Sequence, residues 1–259
     1  MASNNPIIKR MTESATKGDI AAEITALQAQ FDSPARGGTA DRMTIDDVVA
    51  KTAVSFVALL LTAAYAWMNP NPVLMIVGAL GGFVLALVNS FKRNVSPVLV
   101  LAYAGLEGLF VGGISRYFQE AYPGVVSQAV LGTLVAFGVM LGLYSTKIIR
   151  VNAKFMKIFM ISLISYAVIG FASFIAGAFF KVGDGWGFYG MGQLGVLLCV
   201  AGVALAAFSL VMDFEAIQQA IVYGAPRKEA WRGAFGLMVT LIWLYLELLR
   251  LLAILQGRD

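Results

Sequence analysis

Seven stretches of this chain are each long and apolar enough to cross a lipid bilayer, and that constrains its fold more than any other feature. They are Val49–Met68, Pro72–Phe91, Pro97–Phe118, Val125–Thr146, Phe155–Phe180, Gly192–Phe214 and Trp231–Leu255. A hydrocarbon core of roughly 30 Å needs about 20 mostly apolar residues in helical form. Helix is the state such runs must take, because backbone polar groups in lipid have to bond within their own segment. None shows the two-residue alternation of a barrel strand. Turn chemistry separates them: Asn69 to Pro72, Asn94 to Pro97, Tyr122-Pro123-Gly124, Gly183 to Gly187 and Gly224-Ala225-Pro226. The sequence therefore predicts an all-α polytopic membrane protein, a single bundle of seven transmembrane helices over residues 49–259.

Composition agrees. Hydrophobic residues make up 59% of the 259 and charged ones only 13%, about half the share that coats a soluble domain. The net charge of +4 does not point to nucleic acid, since the basic residues lie in short clusters between apolar runs. Cys199 is the only cysteine, which excludes a disulfide within the chain, and there is no histidine. Neither metal-ligand spacing nor imidazole chemistry is available. No resident cofactor and no dedicated metal site are expected, and no Ser/His, paired-Asp or His-rich motif suggests an enzyme.

Residues 1–48 read as a polar cytoplasmic tail, mostly disordered, with no apolar core of a cleavable signal peptide. Within it, Ile20, Ile24, Leu27 and Phe31 recur at helical spacing, so a weak amphipathic helix is expected over 19–31, broken by Pro34 and Gly37-Gly38. With the N-terminus inside, the inner segments hold Lys51, Lys92, Arg93, Lys147, Arg150, Lys154, Lys157, Arg227, Lys228 and Arg232. The outer segments hold only Arg116, Lys181 and Arg258. That asymmetry predicts a cytoplasmic N-terminus and an outward C-terminus. Three G-x-x-x-G pairs, Gly78/Gly82, Gly108/Gly112 and Gly138/Gly142, favour close helix packing.

Charged side chains inside a span cost at least a few kcal/mol, so they tend to face the bundle interior and to have a role. Four candidates for such a role lie within the predicted spans: Glu107, Asp213, Glu247 and Arg250. Glu247 and Arg250 are three apart on one helix face and can neutralise each other. Alternatively, Glu247 belongs to a carboxylate pair that shares a proton and so responds to pH. If helices six and seven form a simple hairpin about Gly224–Pro226, Asp213 lies level with about Leu237, and Glu247 lies ten residues deeper, roughly 15 Å away.

Several of these segments resemble the Bax inhibitor-1/YccA family, also called the transmembrane Bax-inhibitor-motif family, and its bacterial branch in particular. The resemblance rests on Ser96-Pro97 followed by Tyr103 to Gly108, on Asp213-Phe214-Glu215-Ala216-Ile217, and on Leu244-Tyr245-Leu246-Glu247 with Leu248-Leu249-Arg250-Leu251-Leu252. It implies a bundle with the last helix central and a pH-sensitive Ca²⁺ leak. It further implies an acid pair from helices six and seven, here Asp213 and Glu247, and a basic latch at the inner end of helix two, here Lys92 or Arg93. Position 247 is glutamate where the family usually has aspartate. Glu107, Asp213 and Glu247 could offer oxygen ligands to Ca²⁺ along a path. The alternative is an interaction protein that modulates a membrane protease or quality-control complex without transport, as proposed for the YccA branch. The expected setting is a bacterial plasma membrane; the oligomeric state is left open.

Overall fold

A computed structural model describes residues 42–149 and 151–257. The predicted weak helix at 19–31 lies outside the described residues. Among those described are seven long helices: α1 (Ile45–Met68), α2 (Pro72–Phe91), α3 (Pro97–Ala121), α4 (Val125–Ser145), α5 (Ala153–Phe180), α6 (Gln193–Val222) and α7 (Ala230–Gln256). All seven are long and apolar enough to cross a membrane. With rows of exposed apolar side chains such as Ile76, Leu80 and Phe83 on α2 and Ile161, Ile164 and Val168 on α5, the chain is an integral membrane protein.

Local chemistry sets the helix starts. Asn71 and Asn152 accept from the amides of Val73 and Phe155 at 2.9 and 2.8 Å, and Pro72 and Pro97 occupy first-turn positions where no amide is needed. Two boundaries differ from the sequence reading by four residues or more. First, α1 begins at Ile45, four residues before the expected span. Thr44 and Asp47 form a capping box there, and Met43 and Val48 are already buried. Second, α6 continues eight residues past Phe214 to Val222. The segment Glu215 to Val222 is rich in helix formers, and Gln219 donates to Glu215 one turn away at 2.8 Å. Gly224, at φ 68°, ends the run.

Loop contacts define two ends of the bundle. At the proximal end, Met43 N–H donates to the Ala225 carbonyl at 2.8 Å, and Lys51 Nζ to the Arg227 carbonyl at 2.6 Å. Arg227 pairs with Asp47 at 2.7 Å, and Tyr144 donates to Glu215 at 3.0 Å. At the distal end, the rings of Tyr117, Phe118, Tyr122 and Trp186 gather, and Arg116 lies over Trp67 at 5.7 Å. An aromatic girdle of this kind suits a membrane–water interface.

The last helix is central. Half of α7's spanning stretch is buried, against 11% to 39% in the others. Side chains of α7 enter all three hydrophobic clusters: Leu244 with Leu210 and Phe214, Met238 with Val100 and Tyr103, and Leu249 with Phe118 and Ala129. Two of the glycine pairs serve close packing. A Cβ at Gly78 would lie 2.6 Å from the Leu106 carbonyl, and one at Gly112 would strike the Ala63 backbone. Gly138 and Gly142 differ, having nothing within 4 Å of such a Cβ.

Candidate functional site: three acids facing glycines

Each acid predicted inside a span faces a glycine on the neighbouring helix. Glu107 of α3 points at Gly82 of α2, where a Cβ would collide with its carboxylate. Asp213 of α6 lies against Gly236 of α7, with Oδ1 3.1 Å from an added Cβ. Glu247 of α7 lies against Gly202 of α6, with Cδ at 2.7 Å. The glycines make clefts in which a carboxylate fits between helices that otherwise touch.

The α6–α7 hairpin thus carries two reciprocal sites. From Gly202 to Asp213 on α6, and from Gly236 to Glu247 on α7, is eleven residues, which is ~16 Å of helix. Asp213 is level with Gly236, one residue from the position that the hairpin register gave. The structure therefore does not bring the two carboxylates together, and the proton-sharing pair that the family resemblance implied is not formed. The reason is the long α6, which puts the turn eleven residues beyond Asp213 and leaves Glu247 about three helical turns away.

Glu247 is the more fully held of the two. Only 4% of it is exposed. Its Oε1 accepts from the Tyr166 hydroxyl at 2.8 Å and from the Trp243 indole N–H at 3.1 Å. Tyr189 donates in turn to Tyr166 at 2.9 Å, so a chain of hydroxyls reaches the carboxylate. Its Oε2 has no hydrogen-bond partner and lies 3.5 Å from Arg250 Nη1. Arg250 stacks over the Tyr189 ring at 4.3 Å. The i, i+3 pairing of Glu247 with Arg250 is present, as helix geometry allows. Two short 3₁₀ turns, Val182–Gly185 and Gly187–Gly190, bring Tyr189 into place. They are anchored where Phe188 N–H donates to Ser173 Oγ at 2.9 Å and where Gly187 packs on the Ser173 backbone.

Asp213 has a thinner set of contacts. Thr240 of α7 is its polar neighbour, while Asp213 Oδ2 is buried without a partner. It lines a proximal cavity of about 450 Å³ together with Asn89, Glu229 and Arg232. Asn89 is also buried, and its Oδ1 is a second unpartnered oxygen in that wall. Its amide nitrogen is occupied, donating to the carbonyls of Leu85 and Leu99 at 2.9 and 3.2 Å.

The latch candidates Lys92 and Arg93 are exposed, and neither ion-pairs with an acid among the described residues. Their backbone is held instead. Arg232 Nη2 donates to the carbonyls of Lys92 and Arg93 at 3.3 and 2.9 Å, while its Nε pairs with Glu229 at 2.7 Å. Half-buried Glu107 makes no hydrogen bond among the described residues. No group of three or more acids, cysteines or histidines is placed to hold a metal among those residues.

Over residues 5–257 the chain matches the model of the family described as Bax inhibitor 1 like. It belongs to the Bax inhibitor 1-like family. No curated protein matched the sequence. The family match spans the Asp213 and Glu247 sites alike.

Residues missed by sequence reasoning are the supports. Trp243 could have been found, since it precedes Glu247 by one helical turn. Tyr166, Tyr189, Gly202 and Asn89 could not, because distant segments deliver them. The signal nearest to hand was the glycine content of the spans, which reads as packing alone until the acids are seen opposite.

Proposed function

We propose that this Bax inhibitor 1-like protein is a pH-sensitive cation leak, most suited to Ca²⁺, whose two intramembrane carboxylates act as separate control points. One observation carries the reading. Along a single helix seam, Asp213 Oδ2 and Glu247 Oε2 are both buried without a hydrogen-bond partner, and a cavity adjoins each end of that seam. Unpartnered oxygens are costly, and they suit a hard cation that takes oxygen ligands. Asp213 and Asn89 supply two such oxygens to the proximal cavity, and the Glu107 carboxylate stands between α2 and α3. Between the cavities, Leu210, Ala206 and Leu244 pack closely, which is a closed state.

Protonation enters at Glu247. Uncharged, it would release Arg250 while keeping Tyr166 and Trp243 as donors, and α7 could then shift against α6. Arg232 ties the start of α7 to the Lys92–Arg93 turn, so such a shift would be felt at the proximal mouth. In this reading the chain is not an enzyme, has no resident cofactor, and handles Ca²⁺ as cargo. The lysine and arginine asymmetry supports a proximal end facing the cytoplasm of a bacterial plasma membrane.

The test is Ca²⁺ flux into liposomes holding the full chain, scanned from about pH 5 to 8. Flux should depend on pH, Glu247→Gln should flatten that dependence, and Asp213→Asn should reduce the flux itself. Flux no greater than in empty liposomes at every pH would overturn the leak.

A further inference from the structure

The distal cavity, about 410 Å³, is a different kind of site from the proximal one. It lies between the last turns of α3, the 3₁₀ turns and the last turns of α7, and its walls include Tyr117, Phe118, Trp186 and Tyr189. Arg250 is the only charged residue among the described residues that line it. A guanidinium has five N–H donors in a planar fork. That of Arg250 lies over the Tyr189 ring and comes within 3.5 Å of Glu247, well beyond the 2.7–2.9 Å of a charge-assisted hydrogen bond. It makes no hydrogen bond among the described residues, and 30% of its side chain is exposed. Glu247, for its part, is held chiefly through its other oxygen by Tyr166 and Trp243. Arg250 therefore keeps most of its donors uncommitted at the wall of an aromatic cavity whose size is in the usual range for small-molecule sites.

We propose that this cavity binds an organic anion, with a carboxylate or phosphate on the Arg250 fork and an apolar or aromatic body against the wall of Trp186, Phe118 and Tyr117 rings. A bidentate anion is the ligand that a free guanidinium fork recognises best, and flat rings spaced 5.8 and 6.4 Å centre to centre from Trp186 offer the body a matching wall. Two sources share that chemistry: a free aromatic carboxylate, and the headgroup of an anionic lipid. The site does not depend on the leak reading. An occupant would nonetheless compete with Glu247 for Arg250, which makes the cavity a place where a ligand can act on the carboxylate.

Binding can be read from tryptophan fluorescence of the full chain in phosphatidylcholine nanodiscs, titrated with phenylacetate, uncharged 2-phenylethanol and soluble dibutyryl phosphatidylglycerol. Phenylacetate or the short-chain lipid should give a saturable change, at least tenfold tighter than 2-phenylethanol, and whichever binds tighter identifies the source. Trp186→Phe should abolish the signal, and Arg250→Gln should weaken binding at least tenfold. Because Arg250→Gln also disturbs Glu247, Tyr117→Ala provides a second variant that leaves that pair intact and should weaken binding several-fold. No saturable change with either anion, equal binding of 2-phenylethanol, or a signal that survives in Trp186→Phe would each overturn the proposal.

Discussion

The proximal and distal halves of the α6–α7 seam use the same device, an acid set into a glycine cleft, and finish it differently. At Glu247 the cleft is closed by a tyrosine, a tryptophan and an arginine, from α5 and α7. At Asp213 it opens on a cavity shared with the unpartnered oxygen of Asn89. A carboxylate surrounded by donors stabilises the fold around it, and its removal strands those donors. One that faces a cavity contributes little to the fold and stays available to an ion or water. The contrast teaches that burial alone does not define a functional acid; the state of its second oxygen and the space beside it do.

Stability measurements in detergent micelles can break this comparison. Glu247→Leu has the largest expected effect, a loss of ~3 kcal/mol, since Tyr166 and Trp243 lose their acceptor and Arg250 its counter-charge. Asp213→Asn should cost under about 1 kcal/mol, because Oδ2 has no partner to lose. Equal losses in reversible unfolding titrations would show that Asp213 is held as firmly as Glu247.

The two glycines sharpen the same point. Gly202→Ala should cost about 2 kcal/mol, as its Cβ would meet the Tyr166 hydroxyl and Glu247 Cδ in a closed cluster. Gly236→Ala should be near neutral, since a 3.1 Å contact with Asp213 Oδ1 can relax into the cavity and alanine favours the helix by about 1 kcal/mol. A neutral Gly202→Ala in thermal unfolding would mean that the distal cleft is looser than its contacts imply.

Tyr166→Phe follows, with a loss of about 1–2 kcal/mol from the broken Tyr189–Tyr166–Glu247 chain. Unfolding of the Tyr166→Phe/Glu247→Leu double variant, set against the singles, would give the coupling directly, and additive losses would sever that chain. The smallest effect is expected at the distal surface. Glu120→Gln removes the exposed pair with Arg116, 2.6 Å long, and should change stability by less than about 0.5 kcal/mol. A larger change there would mean that the Arg116–Trp67 contact depends on it.

Much of this was legible in the residues. The length and apolarity of seven runs, and proline and asparagine at their starts, identified every helix to within a few residues except at the end of α6. There, Glu215, Gln218 and Gln219 interrupt the apolar run although the helix continues to Val222. The hairpin register about Gly224–Pro226 also followed from counting, and with it the separation of Asp213 from Glu247. Most supports of the two acids were not legible, because they come from positions 23 to 124 residues away: Gly202 and Gly236 across one hairpin, Tyr166 and Asn89 from other helices.

By itself, the sequence determined that the chain must live in a bilayer as a seven-helix bundle, because no other state satisfies the backbone of such apolar runs. It also determined which charges would be placed there at a cost. Only the tertiary structure decided what meets those charges, because partners in a bundle are set by which helix faces touch. A glycine, a tyrosine or a cavity opposite a carboxylate leaves no local trace in the chain.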